Sequence, residues 1–226
     1  MKFFCLLILA SLHLSCFAKD YQKPIEKKTD RVAKPAKNYR NPNDKRNYWI
    51  AKIEDYFNKK FDSVESDFVQ TDSRGYISTG KIFLKRKKGL MKLYYNDPNP
   101  NVAIVRDYKL THFDRDLKEK TVVSVYSSPL AFFLEEKVNL KQNVKVTALY
   151  ESTNSVVITL KKREDENEGA IVLVFSKKPF QLKGWIISEN NNYGRQTQLA
   201  LKNIKLDVSF SDKEFDKFSL VGSNKK

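Results

Sequence analysis

The chain has 226 residues, with 42 lysine and arginine residues against 27 aspartate and glutamate, for a formal net charge of +15. That length suits one domain with extensions. The charge admits a nucleic acid or an anionic lipid surface as partner, and equally a lysine-rich background composition.

Met1-Lys2 forms a short basic start, and residues 3–14 are apolar apart from Ser11 and His13. Cys16-Phe17-Ala18 then places small residues at the two positions a signal peptidase reads. A transmembrane anchor needs roughly 20 apolar residues, more than this run offers, so residues 1–18 read as a signal peptide. An exported lipoprotein is cleaved before a lipidated cysteine that follows a large aliphatic and two small residues. Cys16 follows His13, Leu14 and Ser15, a poor match, and the mature protein is expected to be soluble and exported. Both cysteines, Cys5 and Cys16, fall in this segment, which excludes a disulfide framework and thiol catalysis in the mature chain. The remaining histidine, His112, is too little for a histidine metal cluster and reads as a strand residue.

Residues 19–47 carry ten basic and four acidic residues, three prolines (Pro24, Pro35, Pro42) and no sustained apolar period. They read as a basic, disordered linker, and residues 48–226 as the folded domain. Its first element is a helix over 48–61, whose Trp49, Ile53, Tyr56 and Phe57 fall at i, i+4, i+7 and i+8 behind Asn47 as N-cap. Three antiparallel strands follow. The first alternates, with Val64, Ser66, Phe68 and Gln70 on one face, and turns at Asp72-Ser73-Arg74-Gly75. The second runs from Gly80 to Arg86 with Ile82, Leu84 and Arg86 on one face. Lys87-Lys88-Gly89 leads to the third, residues 90–95, which stops before Asn96-Asp97-Pro98. Taken alone, Arg86 reads as a surface strand end.

This string resembles the periplasmic outer-membrane lipoprotein carrier proteins, the LolA family. Phe68-Val69-Gln70, the Gly80-led strand ending Lys85-Arg86, Gly89 with the aromatic-rich strand to Tyr95, and Pro98 match that family's pattern in order and approximate spacing. The family commonly has a proline directly after its arginine and one residue fewer before the aromatic strand. Lys87-Lys88 departs from that and leaves Arg86 and Lys87 as alternatives for the arginine's place.

Residues 102–107 and 109–113 form a hairpin across Asp107-Tyr108, where the family has Asp-Gly and where a bulky Tyr108 resists positive φ. A long strand over 117–126 follows the turn Asp114-Arg115-Asp116 and sets Leu117, Thr121, Val123 and Val125 on one face. In residues 127–134, Ser128 can cap a short helix, Pro129 fits its first position, and Leu130, Phe133 and Leu134 form its stripe. By residues alone this is a core helix between two half-sheets. The resemblance implies a lid over a cavity. Six further strands are expected near 143–149, 155–160, 170–175, 182–189, 196–202 and 205–210, with turns at 164–169, 177–179 and 190–194. The total of about twelve suits a large curved sheet or barrel. The fold class is therefore mainly β with an α-helical lid (α+β): a large antiparallel, strongly curved sheet, an incomplete, unclosed β-barrel of about 11–12 strands capped by helices.

No glycine-rich phosphate loop, metal-ligand spacing or nucleophile elbow occurs, and Asp114 and Asp116 sit in a turn, so no enzyme, cofactor or metal is expected. The resemblance implies a periplasmic carrier that takes lipid-modified lipoproteins from an inner-membrane lipoprotein-releasing ABC transporter to an outer-membrane receptor. It implies an acyl-chain cavity lined by Phe68, Ile82, Leu84, Met91, Leu93 and Tyr95, a lid of Leu130, Phe133 and Leu134, and Arg86 as its lock. The protein is expected to be a monomer without nucleic acid. The alternatives are the receptor of the same fold and another carrier of acyl chains or hydrophobic ligands.

Overall fold

The computed structural model describes residues 42–216 apart from 97, 99–100, 115–116, 128, 143, 164–168 and 189–194. The expected signal peptide, most of the linker, Ser128 and the 190–194 turn lie outside the described residues. Among these, no helix is long and apolar enough to cross a membrane.

Among the described residues, eleven strands build one antiparallel sheet: β1 (Ser63–Asp72), β2 (Ile77–Lys85), β3 (Leu90–Tyr95), β4 (Val102–Arg106), β5 (Lys109–Asp114), β6 (Glu119–Ser124), β7 (Val144–Glu151), β8 (Ser155–Lys162), β9 (Ala170–Lys177), β10 (Phe180–Ser188) and β11 (Gln196–Leu206). Their order is β6-β5-β4-β3-β2-β1-β11-β10-β9-β8-β7. The first half meanders outward from β1, and the second returns inward until β11 pairs with β1. The outer edges, β6 and β7, are consecutive in sequence but do not pair, so the barrel is unclosed.

The strands expected at 196–202 and 205–210 are one. Asn203 takes a positive φ of 52°, and the register steps from Glu65↔Lys205 to Asp67↔Lys202, one extra residue on β11. This bulge bends the strand without ending it, and the Asn203 amide donates to Asp67 Oδ2 at 2.8 Å. Further shifts lie at Leu182/Gly184 in β10 and Val146/Ala148 in β7. The strand expected over 117–126 is shorter. Leu117 and Lys118 form the turn, and Val125 leaves the sheet in a 3-10 turn, Val125–Ser127, where it is buried.

Asp107 and Tyr108 both take positive φ, 51° and 57°, which is the two-residue turn that matches strand twist. The Tyr108 ring stacks on Tyr126 at 5.1 Å, and its carbonyl accepts from Val125 N at 2.9 Å.

Helix α1 (Pro42–Lys59) begins six residues before the start expected from Asn47, so residues 42–47 belong to the helix and not to a linker. Its apolar period starts only at Trp49, so burial could not reveal the polar first turns. Pro42 opens it without an amide to satisfy. Lys45 pairs with Glu151 at 2.8 Å, and Arg46 donates to the Val146 carbonyl at 2.7 Å. Trp49, Ile53, Tyr56 and Phe57 face the sheet, all buried. The connection from β6 to β7 then docks on α1. Asn58 exchanges two 2.9 Å bonds with the main chain of Val138, and Glu54 accepts from Leu140 N at 2.8 Å.

Candidate functional site

Strand pairing carries one face of the β1–β4 region into a continuous apolar surface. Val64 pairs with Leu84, Leu84 with Met91 and Met91 with Val105; Ile82 pairs with Leu93. The parity change between Leu84 and Met91 is absorbed by a 3-10 turn, Arg86–Lys88, closed by Gly89 at φ 63°. Phe68, Ile82, Leu84, Met91 and Leu93 thus meet in one buried cluster on the concave side, with Tyr95 half-buried at its rim. Gly80 stands between Phe68 and Tyr95 on β2. A Cβ there would sit 2.7 Å from the Phe68 ring, so glycine makes room for that ring, which meets Tyr95 edge-on at 5.1 Å. The Tyr95 hydroxyl donates to Gln70 Oε1 at 2.9 Å, and burial pushes it up to about 12.

The cover is the 3-10 helix Pro129–Leu134. It starts at Pro129 as expected, and Leu130, Phe133 and Leu134 all pack on the concave cluster. The tighter winding also brings in Phe132, which meets Phe57 edge-on at 5.2 Å. Phe133 lies 4.5 Å from the Trp185 ring and closes a space walled by Phe61, Val64, Ile82, Leu84, Met91 and Leu201, leaving no room for a water-sized sphere.

Arg86 is fully buried beside this space. Its Nε donates to the Phe61 carbonyl at 3.0 Å, and Nη1 donates to the carbonyls of Glu135 and Glu136, the latter at 3.2 Å. The last two follow directly on the covering helix, so the guanidinium holds that helix by its C-terminal end. Burial pulls the guanidinium down, opposed by the charges of Asp62, Glu135 and Glu136; it keeps its charge regardless. Lys87, the alternative for this place, is exposed and lies 3.7 Å from Asp62.

The sequence reading missed Phe61, Phe132 and Trp185. Trp185 was hidden by the β10 bulge: Leu182 and Trp185 both face inward, three residues apart, where strict alternation sends one outward. Phe61 follows Phe57 at i+4, a signal that was available. Among the described residues no group of His, Cys, Asp and Glu could hold a metal ion.

The family described as "Outer membrane lipoprotein carrier protein LolA" matches residues 59–218. Among curated proteins, none matches the sequence. Solved structures similar to this chain include a LolA superfamily protein from Nitrosomonas europaea, at 12% identity and TM-score 0.45, covering 75% of this chain and 97% of that one. A putative outer membrane lipoprotein-sorting protein domain from Vibrio parahaemolyticus gives 10%, 0.44, 74% and 95%. A DUF1329 family protein from Desulfovibrio piger gives 12%, 0.48, 76% and 96%.

Proposed function

The chain belongs to the LolA family of outer membrane lipoprotein carrier proteins, and on that basis we propose that it is a periplasmic chaperone. It binds the acyl chains of lipoproteins in its concave face, takes them from an inner-membrane ABC transporter and hands them to an outer-membrane receptor. The observation that supports this best is the covering helix Pro129–Leu134, seated on an apolar face and held at one end by Arg86.

Each methylene of an acyl chain removed from water contributes roughly 0.8 kcal/mol. An acyl chain that enters displaces Phe132, Phe133 and Leu134 and takes their contacts with Ile82, Leu84, Met91 and Trp185. One apolar body replaces another. The Arg86 bonds to Glu135 and Glu136 exist only while the cover is closed, so they subtract from affinity for cargo. A ligand shifts an equilibrium only by its differential affinity for the two states, and this subtraction favours release to a receptor.

The test is purification of the protein from periplasm, followed by mass spectrometry of what accompanies it. Intact triacylated lipoproteins are the expected companions. Recovery of other lipids alone would identify a carrier of different cargo.

A further inference from the structure

We propose that His112 and the concave face around it on β4, β5 and β6 form a subsite for the neutral carbonyl end of an ester- or amide-linked acyl chain. This rests on the acyl-carrier reading above and specifies which acyl compounds the site takes.

His112 stands in the middle of β5, paired with Ala103 of β4 and Thr121 of β6. Through Ala103 the row continues to Leu93 and Ile82, two of the concave apolar residues. The imidazole is therefore the first polar group met on leaving the greasy part of the face. Both of its ring nitrogens are out of contact with water, and among the described residues neither has a hydrogen-bond partner. Buried polar groups in folded proteins are nearly always paired, so two such atoms on one ring call for a partner. A neutral imidazole offers one donor and one acceptor. Burial holds His112 below its ordinary range, with the Asp114 charge opposing, so the ring is neutral at neutral pH.

The chemistry of the surroundings selects the partner. The small side chains of Ala103 and Thr121 flank the ring. The next row toward the rim pairs Asp114 with Glu119, and Tyr95, Gln70 and Asn101 lie at the same end of β1, β3 and β4. Asp114, whose Oδ1 accepts from Leu117 N at 2.9 Å, and Glu119 offer an anion no cation at this rim, and a neutral ring has no charge to attract a fatty-acid carboxylate or a phosphate. A glycerol ester or an amide carbonyl carries no charge and accepts the ring N–H. With its carbonyl at His112, a chain runs along the row toward Leu93 and Ile82.

The test is displacement of a bound hydrophobic fluorescent dye by three lipids: a dipalmitoylglyceryl-cysteine peptide, its dialkyl ether analogue lacking the ester carbonyls, and palmitate. We expect the ester lipid to bind about tenfold more tightly than the ether, the scale of one hydrogen bond, and palmitate more weakly than the ester. In His112→Leu the ester preference falls to about unity while the ether binds as before; His112→Gln, which keeps a donor and an acceptor, retains it. A preference that survives in His112→Leu, or palmitate binding more tightly than the ester, overturns the subsite but leaves the carrier reading intact. If neither glyceryl lipid displaces the dye, the carrier reading falls, and the subsite with it. Should His112→Leu not fold, nitrogen-15 spectra of histidine-labelled wild-type protein decide. The ring signals absent from His112→Gln must shift with the ester lipid and not with the ether; signals that stay put overturn the proposal.

Discussion

The β2–β3 hairpin is buried on both faces, and each face holds one cation out of water. On the concave face Arg86 donates to the carbonyls of Phe61, Glu135 and Glu136. On the convex face Lys92 donates to the carbonyls of Glu214 and Asp216 at 3.1 and 3.4 Å, beneath a 3-10 turn, Asp212–Phe215. Both cations grip a cover by its main chain; the rest of the attachment differs. The concave cover rests on a large aromatic core with Phe57, Phe61 and Trp185. The convex cover buries only a small cluster of Phe83, Leu90 and Phe215, with Phe210. It is pinned by Lys85 and Lys88 to Asp212 at 2.7 and 3.4 Å and by Arg106 to Asp216 at 2.5 Å. Apolar burial is non-directional, so a greasy ligand can stand in for the concave cover. The convex cover adds ion pairs, which an apolar ligand does not replace.

The sharpest way to break this contrast is Leu84→Asn. Leu84 is buried among the concave residues, and an unpaired amide there combines lost burial with desolvation. We expect a loss of about 4 kcal/mol in denaturant unfolding and loss of acyl binding. Arg86→Leu comes next. It strands the Phe61, Glu135 and Glu136 carbonyls and loosens the concave cover by about 2 kcal/mol. Faster hydrogen exchange in Pro129–Leu134, with none in Asp212–Phe215, checks this. Acyl loading should stay equal or strengthen while transfer to a receptor fails; normal transfer would remove the lock from the account.

A third change carries the comparison to the far edge, where a carboxylate does the holding. Partial burial alone would raise Glu151, but hydrogen bonds from Lys177, Lys45 and Trp49 and the Lys177 charge outweigh it and hold it at about 2. Protonation therefore favours the unfolded chain. Its contribution is full above its ordinary range near 4.5 and is lost as pH falls toward about 2. After allowance for solvent screening this is about 1 kcal/mol. Glu151→Gln should remove that much at pH 7 and flatten the acid limb of stability against pH. The smallest effect belongs to Lys92→Met. Burial pulls the Lys92 ammonium down against the charges of Asp216 and Glu214, and its bonds to the two carbonyls are only partly buried, so water can replace it there. Stability should change by less than about 1 kcal/mol and acyl binding not at all. A loss as large as that of Arg86→Leu would make the two cations equivalent.

Alternation made the β1 and β2 rows legible, because a serine or an arginine within an apolar row still keeps the period, while Met91, Leu93 and Tyr95 beyond the parity change came from the family resemblance. What resisted reading lies where an extra residue resets that period. The β10 bulge hid Trp185, and Asn203 divided one strand into two on paper. Polar helix turns without a buried stripe, as at the start of α1, have no period to find. Arg86 and Lys87 were indistinguishable in sequence because both are long cations after a strand; the 3-10 turn tips one inward and the other out. Lys92 alternates to the convex side, but nothing local announces that the chain returns 122 residues later, at Glu214, to cover it.

The absence of pairing between β6 and β7 has a mechanical consequence. A closed barrel can widen only by breaking a ladder of hydrogen bonds. Here the two edges can part like jaws while all ten strand pairings stay intact. The fulcrum falls opposite the gap, where β1 meets β11 at mid-sheet and the Asn203 bulge already bends the ladder. A change in sheet curvature would then alter the internal volume without changing the number of strand pairings.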